Sequence, residues 1–264
     1  MFELNPHSID KEVPVVELSV SAIDLSFFLK ALHDTSFFRQ PTPSGVAAPF
    51  SIISAILRLS DKYDVPCLRR RAIEHLEVVY PTSLKGWDLS PRFESSTPFD
   101  HGVAVKLAND FNIPWIRPMA VYRLASQPFD VVLASLFRVG LCEDDMGMCI
   151  RGIRALRTLQ FSCGIVTLSL PRKLMSQGAL CTCQDILKAK WNAIIGGDFD
   201  DPLAVYSVKT EGFCMSCTTR ITETFASRRE VWDRIPTMIF NESWDTLEAL
   251  RRASIDKEDV SSYM

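Results

Sequence analysis

The pattern of apolar and polar positions predicts two amphipathic helices that meet at a tight corner between residues 52 and 79. Apolar residues recur at three- and four-residue spacing on one face of each helix, as in helices that pack on a core. The first face comprises Ile52, Ile56, Leu59 and Tyr63, and the second comprises Leu68, Ala72, Leu76 and Val79. Pro66 ends the first helix and opens the second, because proline lacks an amide hydrogen and restricts its predecessor.

The same periodicity predicts a series of helices further along the chain. The first begins with Asp100 as its N-cap and ends before Pro114. The later ones are predicted over residues 115–125, 144–159, 184–195, 218–235 and 243–252. This pattern predicts a mainly α protein.

A proline- and serine-rich stretch interrupts the pattern over residues 88–99, and we interpret it as a linker. The predicted organisation is a first region over residues 1–87, a helical C-terminal region over 100–255, and a polar tail over 256–264. We find no internal repeat.

The helical corner resembles the last two helices of the BTB/POZ domain. Upstream, residues 13–19 resemble the middle strand of that family and residues 21–33 resemble its next helix. Downstream, residues 80–88 and 232–236 are similar to a large fungal family in which a BTB domain precedes a helical region. Further similar positions are Ala108, Trp115, Pro118, Ala120, Tyr122 and Leu124. The resemblance implies a partial α/β BTB-like segment followed by an all-α region.

The BTB/POZ resemblance also implies a function. It implies a non-enzymatic protein–protein interaction module, such as an adaptor for a cullin-type ubiquitin ligase scaffold or a transcriptional co-regulator that binds a corepressor. A complete domain of this family has two strands and two helices before the middle strand, and they carry most of its dimer contacts. Met1 lies only a dozen residues before that strand, so the front half is expected to be absent and homodimerisation is doubtful.

Composition narrows the classes of partner. The chain has 264 residues, of which 47% are hydrophobic, and its formal net charge is −3. This near-neutral balance makes nucleic acid an unlikely partner and argues against an anionic membrane. The longest apolar stretch, residues 161–170, is too short to span a bilayer. We therefore expect a soluble, intracellular protein of the cytoplasm or nucleus, in which eight cysteines would be thiols or metal ligands.

Two cysteine pairs are the one constellation that could carry chemistry. Cys181 and Cys183 form a C-x-C pair, and Cys214 and Cys217 form a C-x-x-C pair, each near the start of a predicted helix. Four thiolates suit a tetrahedral structural zinc, and a helix N-terminus favours the thiolate form. Buried apolar thiols are an equally good interpretation. Redox chemistry is a weaker one, because the C-x-x-C lies among helices.

Other catalytic signatures are absent from the sequence. It contains no phosphate-binding glycine motif, no nucleophile elbow and no H-E-x-x-H. His75, near the Leu76 face, is expected to be a structural residue. We therefore expect no enzymatic activity and no required cofactor. Two alternatives stay open, namely a zinc-stabilised transcription-associated factor and a cysteine-dependent enzyme.

Overall fold

The computed structural model shows a mainly helical chain, as predicted. It describes residues 9–10, 13–14, 18–41, 47–90, 98–168, 183, 185–186, 188–189, 192, 202–203, 212–224 and 228–261. Most of the helix predicted over 184–195 lies outside the described residues, as does Cys181.

The strand content is much smaller than the BTB/POZ resemblance implies. Two strands, β1 (Ile9–Asp10) and β2 (Val13–Pro14), form an antiparallel pair in which Ile9 lies opposite Pro14. Of the strand predicted over residues 13–19, the structure shows the first two residues as β2. Residues 18–20 are not in a strand. Two-residue strands are too short to support a sheet. An α/β segment is thus not supported among the described residues.

The described residues contain a series of helices. In chain order they are α1 (Ala22–His33), α2 (Phe50–Lys62), α3 (Pro66–Val79), α4 (Leu84–Leu89), α5 (Pro98–Asp110), a 3-10 turn (Pro114–Ile116), α6 (Arg117–Ala125), α7 (Phe129–Val139), α8 (Glu143–Leu168), α9 (Met215–Thr224), α10 (Arg228–Phe240) and α11 (Trp244–Ser261).

The predicted helical corner is confirmed as α2 and α3, which pack on each other. All four residues of the second face are buried, and Ile56 and Leu59 are buried in the first. Asp64 adopts a left-handed φ of 53°, which lets the Val65 amide donate to the Ser60 carbonyl at 2.8 Å. That bond closes the end of α2 before Pro66 starts α3.

Four predicted boundaries are wrong in detail. The helix predicted over 144–159 continues to Leu168 as α8. Helix α5 begins at Pro98, so Asp100 lies in its first turn and is not its N-cap, although its charge still favours the helix N-terminus. The helix predicted over 218–235 is two helices, α9 and α10. Helix α11 continues to Ser261, beyond the start of the predicted polar tail at residue 256.

Helix α7 was not predicted at all. Its sequence is a dense apolar run that includes consecutive valines, and its charged residues Asp130 and Arg138 give it a helical period. In the structure Val132, Ser135 and Leu136 are buried where α7 packs against α5. Gly140 follows with a φ of 67°, a left-handed conformation that suits glycine at a helix C-terminus.

One hydrophobic core contains residues from both sides of the predicted linker at residues 88–99. The division into domains stays a prediction. The core cluster contains residues of α1 to α3, α5 to α8, α10 and α11, and Trp115 and Trp232 are among its largest buried side chains. The Trp87 ring lies edge-on to Tyr122 at a centroid distance of 5.5 Å. The Arg123 guanidinium donates to the Val79 carbonyl at 3.2 Å. These contacts join α3 and α4 to α6.

Candidate functional site

Three of the four cysteines predicted as metal ligands lie together. The sulfur atoms of Cys183, Cys214 and Cys217 are all within 4.8 Å of one another. Cys183 and Cys217 are buried, and Cys214 is exposed. Cys181, the fourth predicted ligand, lies outside the described residues.

The start of α9 positions two of these thiols. The Cys214 carbonyl accepts the Thr218 amide at 2.9 Å, which makes Cys214 the N-cap residue of α9. Cys217 follows in the first turn, three residues later and therefore on the same side. Gly212 has a φ of 83°, so the chain can turn immediately before this segment. The Cys214 amide also donates to the Cys183 sulfur at 3.2 Å.

This arrangement could hold a metal ion. Zinc binds thiolates at about 2.3 Å, which places neighbouring sulfurs of a tetrahedron roughly 3.8 Å apart. The three sulfurs lie within 4.8 Å of one another, so a shared ion would need them at most about 1 Å closer together. The hydrogen bond from the Cys214 amide to the Cys183 sulfur and the N-terminus of α9 both favour negative charge on sulfur. The negatively charged thiolate is the form that binds zinc. A cluster of buried thiols without a metal fits the same positions, so both interpretations of the sequence stay open.

A second feature is an open groove of about 410 Å³ between α3, α4 and α11. It is lined by Glu74, Glu77, Val78, Pro81, Thr82, Ser83, Gly86, Leu89, Ser90, Glu248 and Arg251. Leu89, at 62% exposure, is an apolar side chain on its rim. The two parts of the chain that line the groove are more than 150 residues apart, so the periodicity of the sequence does not predict the groove.

An ion-pair network forms the floor of this groove. Both nitrogens of the Arg251 fork donate to the Glu77 carboxylate, at 2.7 and 2.8 Å. The Trp115 indole N–H donates to the same carboxylate at 2.9 Å. Glu248 accepts from the Thr82 hydroxyl and lies 3.5 Å from Arg251. Hydrogen bonding to Glu77 raises the pKa of Arg251, so this residue stays charged.

The two buried histidines serve the core. His75 Nε2 donates to the Arg39 carbonyl at 2.8 Å, while its Nδ1 accepts from the Ala48 amide at 3.2 Å. Burial lowers the pKa of His75, which keeps the ring neutral. Burial likewise lowers the pKa of His101 to about 4. Neither ring lines the groove, so neither is placed as a base there.

Comparisons with known proteins do not assign the chain. No protein-family model matches it, and neither a curated protein nor a solved structure matches it significantly. Among the described residues, none of the helices combines the length and the apolar character needed to cross a membrane.

Proposed function

We propose that this chain is a non-enzymatic protein–protein interaction module, as its BTB/POZ resemblance implies. The groove between α3, α4 and α11 is the observation that supports this proposal. It joins the BTB-like helical corner to the last helix, and its lining contains no histidine or cysteine. Its carboxylates Glu77 and Glu248 are held by Arg251 and Thr82, so they are engaged in structure. Such a surface suits binding better than proton transfer.

The charge of the groove indicates the kind of segment that would bind there. Three glutamates and one arginine line it, which leaves an excess of negative charge. A basic segment with an apolar residue that contacts Leu89 would complement this lining. The resemblance favours a cullin-type ubiquitin ligase scaffold or a transcriptional corepressor as the source of that segment, in the cytoplasm or nucleus.

The thiol cluster supports a second candidate, a zinc-stabilised transcription-associated factor. In this proposal zinc links residue 183 to the start of α9 and stabilises the C-terminal helices. The formal net charge of −3 weighs against direct DNA contact, which needs a concentrated basic surface. A cysteine-dependent enzyme has less support, because the cluster consists of thiols alone among the described residues.

The interaction proposal is tested by native pull-downs that compare wild type with variants of residues that are not buried. Leu89→Asp and Glu74→Lys change the apolar rim and the charge of the groove, and both positions tolerate polar side chains because they are not buried. Ile150→Asp, at 47% exposure on α8 and outside the groove, is the control. We expect a specific protein that is retained by wild type and by the control, and lost from both groove variants.

The opposite results are equally informative. Identical sets of retained proteins for all four chains would exclude the groove as the binding surface. Recovery of no specific protein by wild type, under conditions in which all four chains are folded, would remove the support for an interaction function.

A further inference from the structure

The outer face of α7 carries an apolar stripe that is exposed among the residues that the structure describes. Phe129 is 57% exposed and Phe137 is 70% exposed, with half-buried Leu133 between them. These three residues recur every four positions, so they form a continuous line along the helix. We call them the α7 stripe. Large exposed aromatic residues in a continuous line are unusual on a monomer and indicate a contact surface.

A second line of exposed residues runs beside the α7 stripe. It consists of Asp130, Ala134 and Arg138, again four residues apart. An acidic side chain therefore lies towards one end of the face, a basic side chain lies towards the other, and a small side chain lies between them. This order is self-complementary, because a second α7 running in the opposite direction presents the basic end to the acidic end.

We propose that a second copy of this chain docks on the α7 stripe, with the two helices antiparallel about a two-fold axis through Leu133. This axis places Phe129 opposite Phe137 of the second copy, and Leu133 opposite its own counterpart. Side chains tilt towards the N-terminus of their own helix, so in an antiparallel pair they tilt in opposite directions. This tilt brings the side chain of Asp130 towards Arg138 of the second copy. The same antiparallel placement therefore pairs the apolar residues of the α7 stripe with each other and pairs Asp130 with Arg138.

The size of the face sets the strength of the contact. An 11-residue helix is about 16 Å long, so the pair buries less area than a standard stable interface. We therefore expect a weak, reversible dimer with a dissociation constant in the micromolar range or above. This surface is separate from both the groove and the thiol cluster, so the inference stands whether or not the proposed function holds.

Sedimentation velocity of the purified full chain tests the dimer over a roughly hundred-fold range of concentration. We expect wild type to shift from monomer towards dimer as concentration rises. Phe137→Asp should remain monomeric, because a carboxylate would be buried in the contact. Ile150→Asp, also an exposed apolar residue but on α8, should dimerise like wild type. Circular dichroism confirms that each variant is folded.

A pair of charge reversals tests the register and does not depend on Phe137. Asp130→Arg places like charges opposite each other in a homodimer, and so does Arg138→Asp. Each variant alone should dimerise roughly tenfold more weakly. An equimolar mixture should recover wild-type affinity, because in the mixed dimer every arginine faces an aspartate. Asp245→Arg and Arg252→Asp, exposed on α11, form the control pair.

Two results would overturn the inference. The first is a wild-type chain that stays monomeric throughout the concentration range. The second is a mixture of folded charge variants that associates no better than each variant alone. A dimer whose affinity is unchanged by the two charge reversals and by Phe137→Asp would show that the contact lies elsewhere, and it would equally refute docking at α7.

Discussion

Single buried polar residues make the fold sensitive to pH. His101 lies in the core, with its Nδ1 atom 2.9 Å from the Tyr80 hydroxyl. Burial raises the pKa of Tyr80, so the hydroxyl keeps its proton and donates it to the neutral ring. A protonated His101 would carry a second N–H towards that hydroxyl and an uncompensated charge into the core. The pair is therefore stable only while the histidine is neutral.

We predict that the protein loses stability as the pH falls below the pKa of an ordinary histidine. The pKa of His101 falls from 6.5 to about 4 on folding, so the unfolded chain binds this proton first. Its contribution is fully present above pH 6.5 and is lost as pH falls towards 4. From this residue we expect the free energy of unfolding to fall by about 2 kcal/mol between roughly pH 7 and pH 5. Urea unfolding at both pH values measures it.

Non-titrating substitutions provide the control for this pH dependence. His101→Gln should reduce the difference between the two pH values, because the side chain no longer binds a proton. His33→Gln, at an exposed position on α1, should leave it unchanged. His75 contributes in the same direction, since burial also lowers its pKa. An undiminished pH dependence in His101→Gln would show that His101 is not the source of the pH dependence.

At the scale of helices, α8 packs on α10 through a close approach at Gly152. A Cβ atom added there would lie 2.6 Å from Ile239 Cγ2 and 3.3 Å from Val121 Cγ1. These atoms belong to branched, well-packed side chains of α10 and α6, so they can move little. Glycine is thus required for helix packing at this point, although it is a weak helix former.

Two alanine substitutions in α8 should have opposite effects on stability. Gly152→Ala should destabilise the protein by about 1–3 kcal/mol, because overpacking outweighs the gain in helix propensity. Gly147→Ala is the matched control, since a Cβ there meets only the flexible end of Arg151 at 3.3 Å. It should be neutral or stabilising by up to about 1 kcal/mol. Chemical denaturation measures both, and equal effects would show that Gly152 is not a packing site.

At the scale of the whole molecule, contacts far apart in sequence hold the chain together. The Glu77 carboxylate joins α3 to α11 through Arg251 and to the 3-10 turn through Trp115. The thiol cluster joins residue 183 to residues 214–217. A metal ion bound only by the folded cluster would stabilise the fold by mass action.

We predict that protein purified without chelator carries about one zinc ion per chain. Chelation should lower the midpoint of thermal unfolding by several degrees, because the free energy of metal binding is then lost. Cys214→Ser should abolish binding, while Cys67→Ser, at an exposed position on α3, should not. Metal content far below one ion, together with unchanged unfolding of Cys214→Ser, would favour the interpretation as buried thiols.

Local patterns predicted the individual elements well where one helix face is clearly apolar. The α2–α3 corner and α6 follow their predicted bounds closely, because proline positions and a 3.6-residue period are read directly from neighbouring residues. Helix α7 was not predicted, although its apolar and charged residues do follow a helical period.

The candidate sites divide in the same way. Cys183, Cys214 and Cys217 were identified from their spacing, because metal ligands come in short pairs that a sequence displays. The groove was not identified, since α3 and α11 meet only in the folded chain. The BTB/POZ resemblance and the predicted linker rest on local pattern and stay predictions.

By itself, the amino-acid sequence determined that this is a mainly helical chain and where most of its helices lie, and it predicted which thiols could bind a metal. Those properties depend on residues within a few positions of one another. Only the tertiary structure decided that Glu77 meets Arg251, that a core continues across residues 88–99, and that the α7 stripe faces outward. Contacts between distant residues depend on how helices pack, which no local pattern specifies.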